Sequence, residues 1–244
     1  MGKAKPVIAI LLAGVLWGCI SIFMNGLAGS NMSTIGIAAV RMVMAAIIYV
    51  IFMLITAPEK LKIDPKDIWM FLLTGIVSVT FFNFLYSYTV IHSQASIGVV
   101  LLYTSPIFTI ILSAIFFREK ITPKKLIALI MVSAGCIMVS GLIGGSYRIP
   151  FLILMTGLGS GLFWASYTIF SRFTLKKYTS DTASVWAIIC SGVSMLPFIF
   201  TEHVPQAVAA DPKILLWGLG IAVVSTVAPY ALYTYGLQYV EGGR

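Results

Sequence analysis

Arg41 offers the most chemistry, because it is a permanent cation inside an apolar stretch, AAVRMVMAA. Burying a guanidinium in a low-dielectric setting costs on the order of several kcal/mol unless it is paired or hydrated. No Asp or Glu stands at comparable depth in any apolar stretch of the chain. Arg41 must therefore snorkel toward the nearer surface, bond helix-terminal carbonyls, or face water and attract a carboxylate or phosphate group. Two tryptophans stand among small residues. Gly14, Trp17, Gly18, Ser21 and Asn25 recur at spacings of three and four, as do Ser160, Gly161, Trp164, Ala165 and Thr168. Each set makes one helical face, either a close-packed seam or a cavity wall bearing an aromatic. Thr80, Asn83 and Ser87, with Tyr86 beside them, make a third face, and Thr226, Tyr230 and Tyr233 a fourth. A buried amide needs partners, so Asn83 faces inward. Tyr88, Tyr235 and Tyr239 read as interfacial anchors, whereas Tyr230 lies deeper. The stripe Ser105, Thr109 and Ser113 fits back-bonding to its own helix.

Catalysis has little to work with. The chain has two histidines, His92 and His203, and three widely spaced cysteines, Cys19, Cys136 and Cys190, with no metal-ligand spacing. No acids are paired within an apolar stretch, Glu119 between Arg118 and Lys120 reads as a solvated helix end, and His92 as a loop residue. We therefore expect no enzyme, no metal site and no cofactor, and see no proton carrier. Composition agrees. Of 244 residues, 59% are hydrophobic and 10% charged, against about a quarter charged in soluble domains. Mean hydropathy is +1.01. These values exclude a soluble enzyme and a nucleic-acid-binding domain, so the net charge of +8 has another use.

That use is orientation in a bilayer. Apolar stretches cover 7–27, 35–55, 68–88, 95–117, 126–143, 149–170, 182–200 and 214–236. Each can span a membrane, and as each must satisfy its own backbone it is a helix. The fold class is thus all-α, a polytopic bundle of about eight helices. Counting Lys and Arg by side gives 13 on the face of the N-terminus and 2 on the other, with Arg41 inside a span. The positive-inside bias places the N-terminus in the cytoplasm.

The chain also resembles itself. At an offset of 147 residues, 16 of 97 positions are identical without a gap, including Trp17 on Trp164, Asp64-Pro65-Lys66 on Asp211-Pro212-Lys213, and Tyr86 and Tyr88 on Tyr233 and Tyr235. Five helices precede the second copy, so the copies are inverted in topology. This arrangement is widespread among secondary transporters. The expected division is 7–143 for the first five-helix repeat and 149–244 for the second. Pro106 and Pro229 each remove a donor within a span and free the carbonyls of Leu102 and Ser225, as hinges or static kinks.

These residues resemble the EamA-type transporters of the drug/metabolite transporter superfamily. The resemblance rests on LLAGVLWG, AAVRMVMAA, TSPIFTIILSAIFFREKIT and KKLIALIMVSAGCIMV in that order. It implies ten helices in two inverted repeats around a central cavity, and a role in moving small organic metabolites, amino acids or drugs. Export by alternating access is the expected direction and mechanism. It further implies a bacterial cytoplasmic membrane, partners limited to lipid and a small organic substrate, and leaves a homodimer open. Against that pattern the second repeat stops after its third helix, and about 46 further residues would complete it. The competing readings are a non-transporting truncated fragment and an intramembrane enzyme. The expected substrate-binding residues are Trp17, Ser21, Asn25, Arg41, Asn83, Tyr86, Trp164, Thr168, Tyr230 and Tyr233, with Pro106 and Pro229 as hinges.

Overall fold

The computed structural model describes residues 4–29, 32–93, 95–139 and 149–239. The chain is an integral membrane helical bundle with no strand among these residues. The helices are α1 (Ala4–Gly18), α2 (Ile20–Ala28), α3 (Thr34–Thr56), α4 (Ile68–Leu72), α5 (Phe81–Ile91), α6 (Ala95–Leu102), α7 (Ser105–Phe117), α8 (Pro123–Val139), α9 (Phe151–Thr174), α10 (Ser180–Thr201), α11 (Val204–Ala210), α12 (Lys213–Ala222) and α13 (Ala228–Leu237). A π-turn over Leu73–Thr80 joins α4 to α5, and another over Val223–Val227 joins α12 to α13. Among the described residues, seven helical stretches are long and apolar enough to cross a bilayer. The eighth expected span, 126–143, falls partly outside the described residues; its described part lies in α8, which has 17 residues. Large apolar side chains such as Val15 and Ile55 stay outside the fold, 67% and 77% exposed. They suit hydrocarbon rather than water.

The helices gather into two compact units, one drawn from the chain before Val77 and after Phe170, the other from Val77–Phe170. In the first unit α3 packs along α10. Both start on hydroxyl caps: Ser33 accepts from the Gly36 amide and Thr179 from the Thr182 amide. The two helices run antiparallel. Ser33, before α3, donates to Glu202, after α10, while Lys60, beyond the end of α3, pairs with Asp181 at the start of α10. In between, Tyr49 meets Ser184 at 2.7 Å. Close approach needs a small residue: a Cβ on Gly192 would stand 2.6 Å from Ala46 Cβ and 3.0 Å from the Met42 carbonyl oxygen. A cluster of Leu27, Ile37, Ile214 and Ile221 packs α2, α3 and α12 together.

The connector after α3 is held to α10 by polar contacts. Asp67 accepts from Tyr178 and pairs with Lys177, and Trp186 donates to the Leu61 carbonyl at 3.1 Å. The Asp181 carboxylate raises the Lys60 ammonium above its usual range, and Asp67 does the same to Lys177. The two DPK segments fold alike: Asp64 accepts from the Lys66 amide and Asp211 from the Lys213 amide, both at 3.0 Å.

In the second unit α9 packs on α5 and α6. Ile97, Leu101 and Ile153 are buried together, and Thr89 donates to Thr156 at 2.9 Å. Gly157 and Gly161, four residues apart on α9, form a seam. A Cβ on Gly157 would meet Leu101 at 2.3 Å, and one on Gly161 would meet Thr104 Oγ1 at 2.7 Å.

Candidate substrate-facing site

The site in the first unit is built where two helices are broken. The first span breaks at Cys19, whose amide reaches only back to Leu16 at 3.2 Å, so Trp17 sits in the last turn of α1. The eighth span breaks at the π-turn Val223–Val227, immediately before Pro229. A π-turn carries one residue more than regular helix and leaves carbonyls poorly served by their own amides. Thr226 bonds back five residues to the Ile221 carbonyl at 2.8 Å. Ser225 donates across to the Leu16 carbonyl at 3.0 Å, which joins the two breaks.

Arg41 completes this knot. Its side chain is 6% exposed. Nε donates to Thr226 Oγ1 at 2.8 Å, and Nη2 to the Ser225 carbonyl at 3.3 Å. Of the options that the sequence leaves open, Arg41 thus bonds a carbonyl. That carbonyl belongs to a broken helix interior, the one that Pro229 was expected to free. Pro229 does not kink a continuous α-helix; it occupies the first turn of α13. Pro106 likewise opens α7, after a turn at Tyr103–Thr104. The proline inside an uninterrupted helix is Pro197 in α10, which the sequence reading passed over.

Trp17 contacts Tyr230 and Tyr233 edge-on, with ring centroids 5.8 and 5.4 Å away. Tyr230 is fully buried and lies within the electrostatic reach of Arg41. Beyond the backbone of its own helix, nothing described lies within 4 Å of where a Cβ on Gly14 or Gly18 would stand. The first unit therefore gathers Trp17, Arg41, Tyr230 and Tyr233. Asn25 is exposed on α2, beyond the break, and the Ser21 side chain lies outside the described residues.

The second unit gathers the remaining candidates. Trp164 packs on Phe82 at 5.2 Å and stacks on Tyr167 at 5.5 Å, while Phe82 stacks on Tyr86 at 5.6 Å. Asn83 donates to the Val79 carbonyl at 2.7 Å. Thr168 is buried at 2% exposure. Each tryptophan thus leans on an aromatic that follows a π-turn, Trp17 on Tyr230 and Trp164 on Phe82. Phe82 and Tyr167 were missed in the sequence. Tyr167 stands three residues after Trp164, a helical spacing that could have revealed it.

Three comparisons bear on what such a chain is. The model of the EamA-like transporter family matches residues 4–141 and 151–244. An uncharacterized transporter of Archaeoglobus fulgidus is 26% identical over 214 residues, 87% of this chain and 74% of that one. The pseudopaline exporter CntI of Pseudomonas aeruginosa is 22% identical over 221 residues, 89% of this chain and 75% of that one. Among solved structures, one crystal structure superposes with a TM-score of 0.78 at 13% identity, over 99% of this chain and 82% of the other. That last likeness speaks for the fold alone.

Proposed function

The chain belongs to the EamA-like transporter family, and from that premise we propose that it exports small organic solutes, such as metabolites, amino acids or drugs, by alternating access between two inverted repeats, 7–143 and 149–244. The relatives named above are transporters rather than enzymes. Export is favoured by the likeness to a protein named an exporter. Inversion is favoured by the antiparallel packing of α3 and α10, which occupy matching places 147 residues apart. The bilayer supplies the setting, and the basic-residue bias favours a cytoplasmic N-terminus in a bacterial inner membrane.

The observation that carries the binding reading is the Trp17 face. An indole backed by Tyr230 and Tyr233, beside two glycines with open space above them, offers an apolar, aromatic surface with a polar tip. Such a surface suits a flat or apolar organic group. Trp164, Tyr86, Asn83 and Thr168 offer a similar surface in the other unit. The test uses cells that overproduce the chain, with the medium analysed by mass spectrometry. Solutes released by the chain should fall to background in Trp17→Ala and in Gly18→Leu. Gly18→Leu should leave thermal stability in detergent nearly unchanged, because a Cβ there meets nothing within 4 Å. Release that persists in both variants would remove Trp17 from the binding site.

A further inference from the structure

We propose that Arg41 is a positioning residue: by gripping the π-turn of the eighth span it sets which face of α13 meets α1. The grip includes hydrogen bonds from α3 to Thr226 Oγ1 and to the Ser225 carbonyl, at 2.8 and 3.3 Å. Residues after the turn depend on it. Each helical residue advances the chain by about 1.5 Å and turns it by about 100°. If the extra residue of the π-turn were absorbed into regular helix, α13 would rotate by about that angle. Tyr230, Tyr233 and Gly236 lie three residues apart on one face, and all three meet α1. The tyrosines touch Trp17, and a Cβ on Gly236 would stand 2.3 Å from Ile10 Cγ1 and 3.1 Å from the Pro6 carbonyl oxygen. A rotation of this size would take the whole face off α1.

The third span carries a comparable turn with a different residue at the position matching Arg41. Its π-turn, Leu73–Thr80, stands at the matching place of the first repeat. There Asn83 donates to the Val79 carbonyl of the same span. The residue matching Arg41 is Ile188, which has no donor to give. The turn of the eighth span is thus held by a guanidinium from another helix, which couples any movement of α3 to the rotation of α13.

Cysteine cross-linking tests this without any transport measurement, so its failure and failure of the transport reading are separate results. In a chain whose three native cysteines are serine, Ile10→Cys and Gly236→Cys should cross-link readily. Adding Arg41→Met should lower the yield at least about fivefold, as the population leaves the π form. Deleting Val224 in that background removes the extra residue while keeping Gly236 on Ile10, so the yield should return to within about twofold of the starting chain. An unchanged yield in Arg41→Met, or no recovery on deletion, would overturn the proposal. Should Arg41→Met not purify as a monodisperse protein, Arg41→Lys takes its place under the same criteria, since an ammonium lacks the planar fork that spans both acceptors.

Discussion

Arg41 is a cation in the buried part of the first unit, held by the acceptors Thr226 Oγ1 and the Ser225 carbonyl. Hydrogen bonds to charged groups contribute about 1.5–3 kcal/mol each, and Arg41 Nε depends on the hydroxyl of Thr226. Thr226→Val keeps the shape and removes that acceptor, so we expect a loss of about 1.5–3 kcal/mol, seen as a lower unfolding temperature in detergent. Thr226→Ser should restore most of it. Equal stability of the valine and serine variants would show that Arg41 draws little from this bond. The sequence made Arg41 conspicuous, since a lone cation in an apolar run demands a solution. Which solution is chosen depends on a helix 185 residues away, and no local pattern encodes that distance. Trp17, Tyr230 and Tyr233 were singled out separately by helical spacing, but their meeting is a tertiary event.

Among the elements, small residues separate packing from exposure. In a bilayer, apolar burial does not drive helices together, so close contact through glycine carries more of the work. Gly192→Ala would press a methyl to 2.6 Å from Ala46 Cβ. We expect it to cost about 1–3 kcal/mol by overpacking, whereas Gly14→Ala should leave the melting temperature nearly unchanged. Matching losses at both positions would refute the distinction. Gly157 and Gly161, spaced as GxxxG, pack on Leu101 and Thr104. The π-turns and the break at Cys19 were not legible. A single extra residue shifts hydrophobic periodicity by less than a span's all-round apolar character conceals. Pro106 and Pro229 each stand in the first turn of a helix, at a break within a span.

The bundle as a whole was readable from composition and hydropathy, because a bilayer leaves the backbone few alternatives to helix. Grouping into units was not readable, since the first unit joins helices from both ends of the chain. Orientation is open to labelling. With native cysteines replaced, Ser93→Cys should react with an impermeant maleimide in intact cells, and Lys120→Cys only after lysis; the reverse would invert the topology. The clasp between the α3–α4 connector and α10 has a calculable pH response. Its two lysines are raised above 10.5 in the fold, so their contribution is complete below that pH and is lost as pH rises through the folded value. Stability should be flat from about pH 6 to 9 on this account. Lys60→Ala should cost under about 1 kcal/mol, because the Lys60–Asp181 pair is largely solvated. The central claim, that this chain carries small organic solutes across a membrane, is tested most directly by reconstitution. Proteoliposomes loaded with a bacterial metabolite extract should lose particular solutes faster than protein-free liposomes, and Trp17→Ala proteoliposomes should not. Identical release from all three preparations would contradict it.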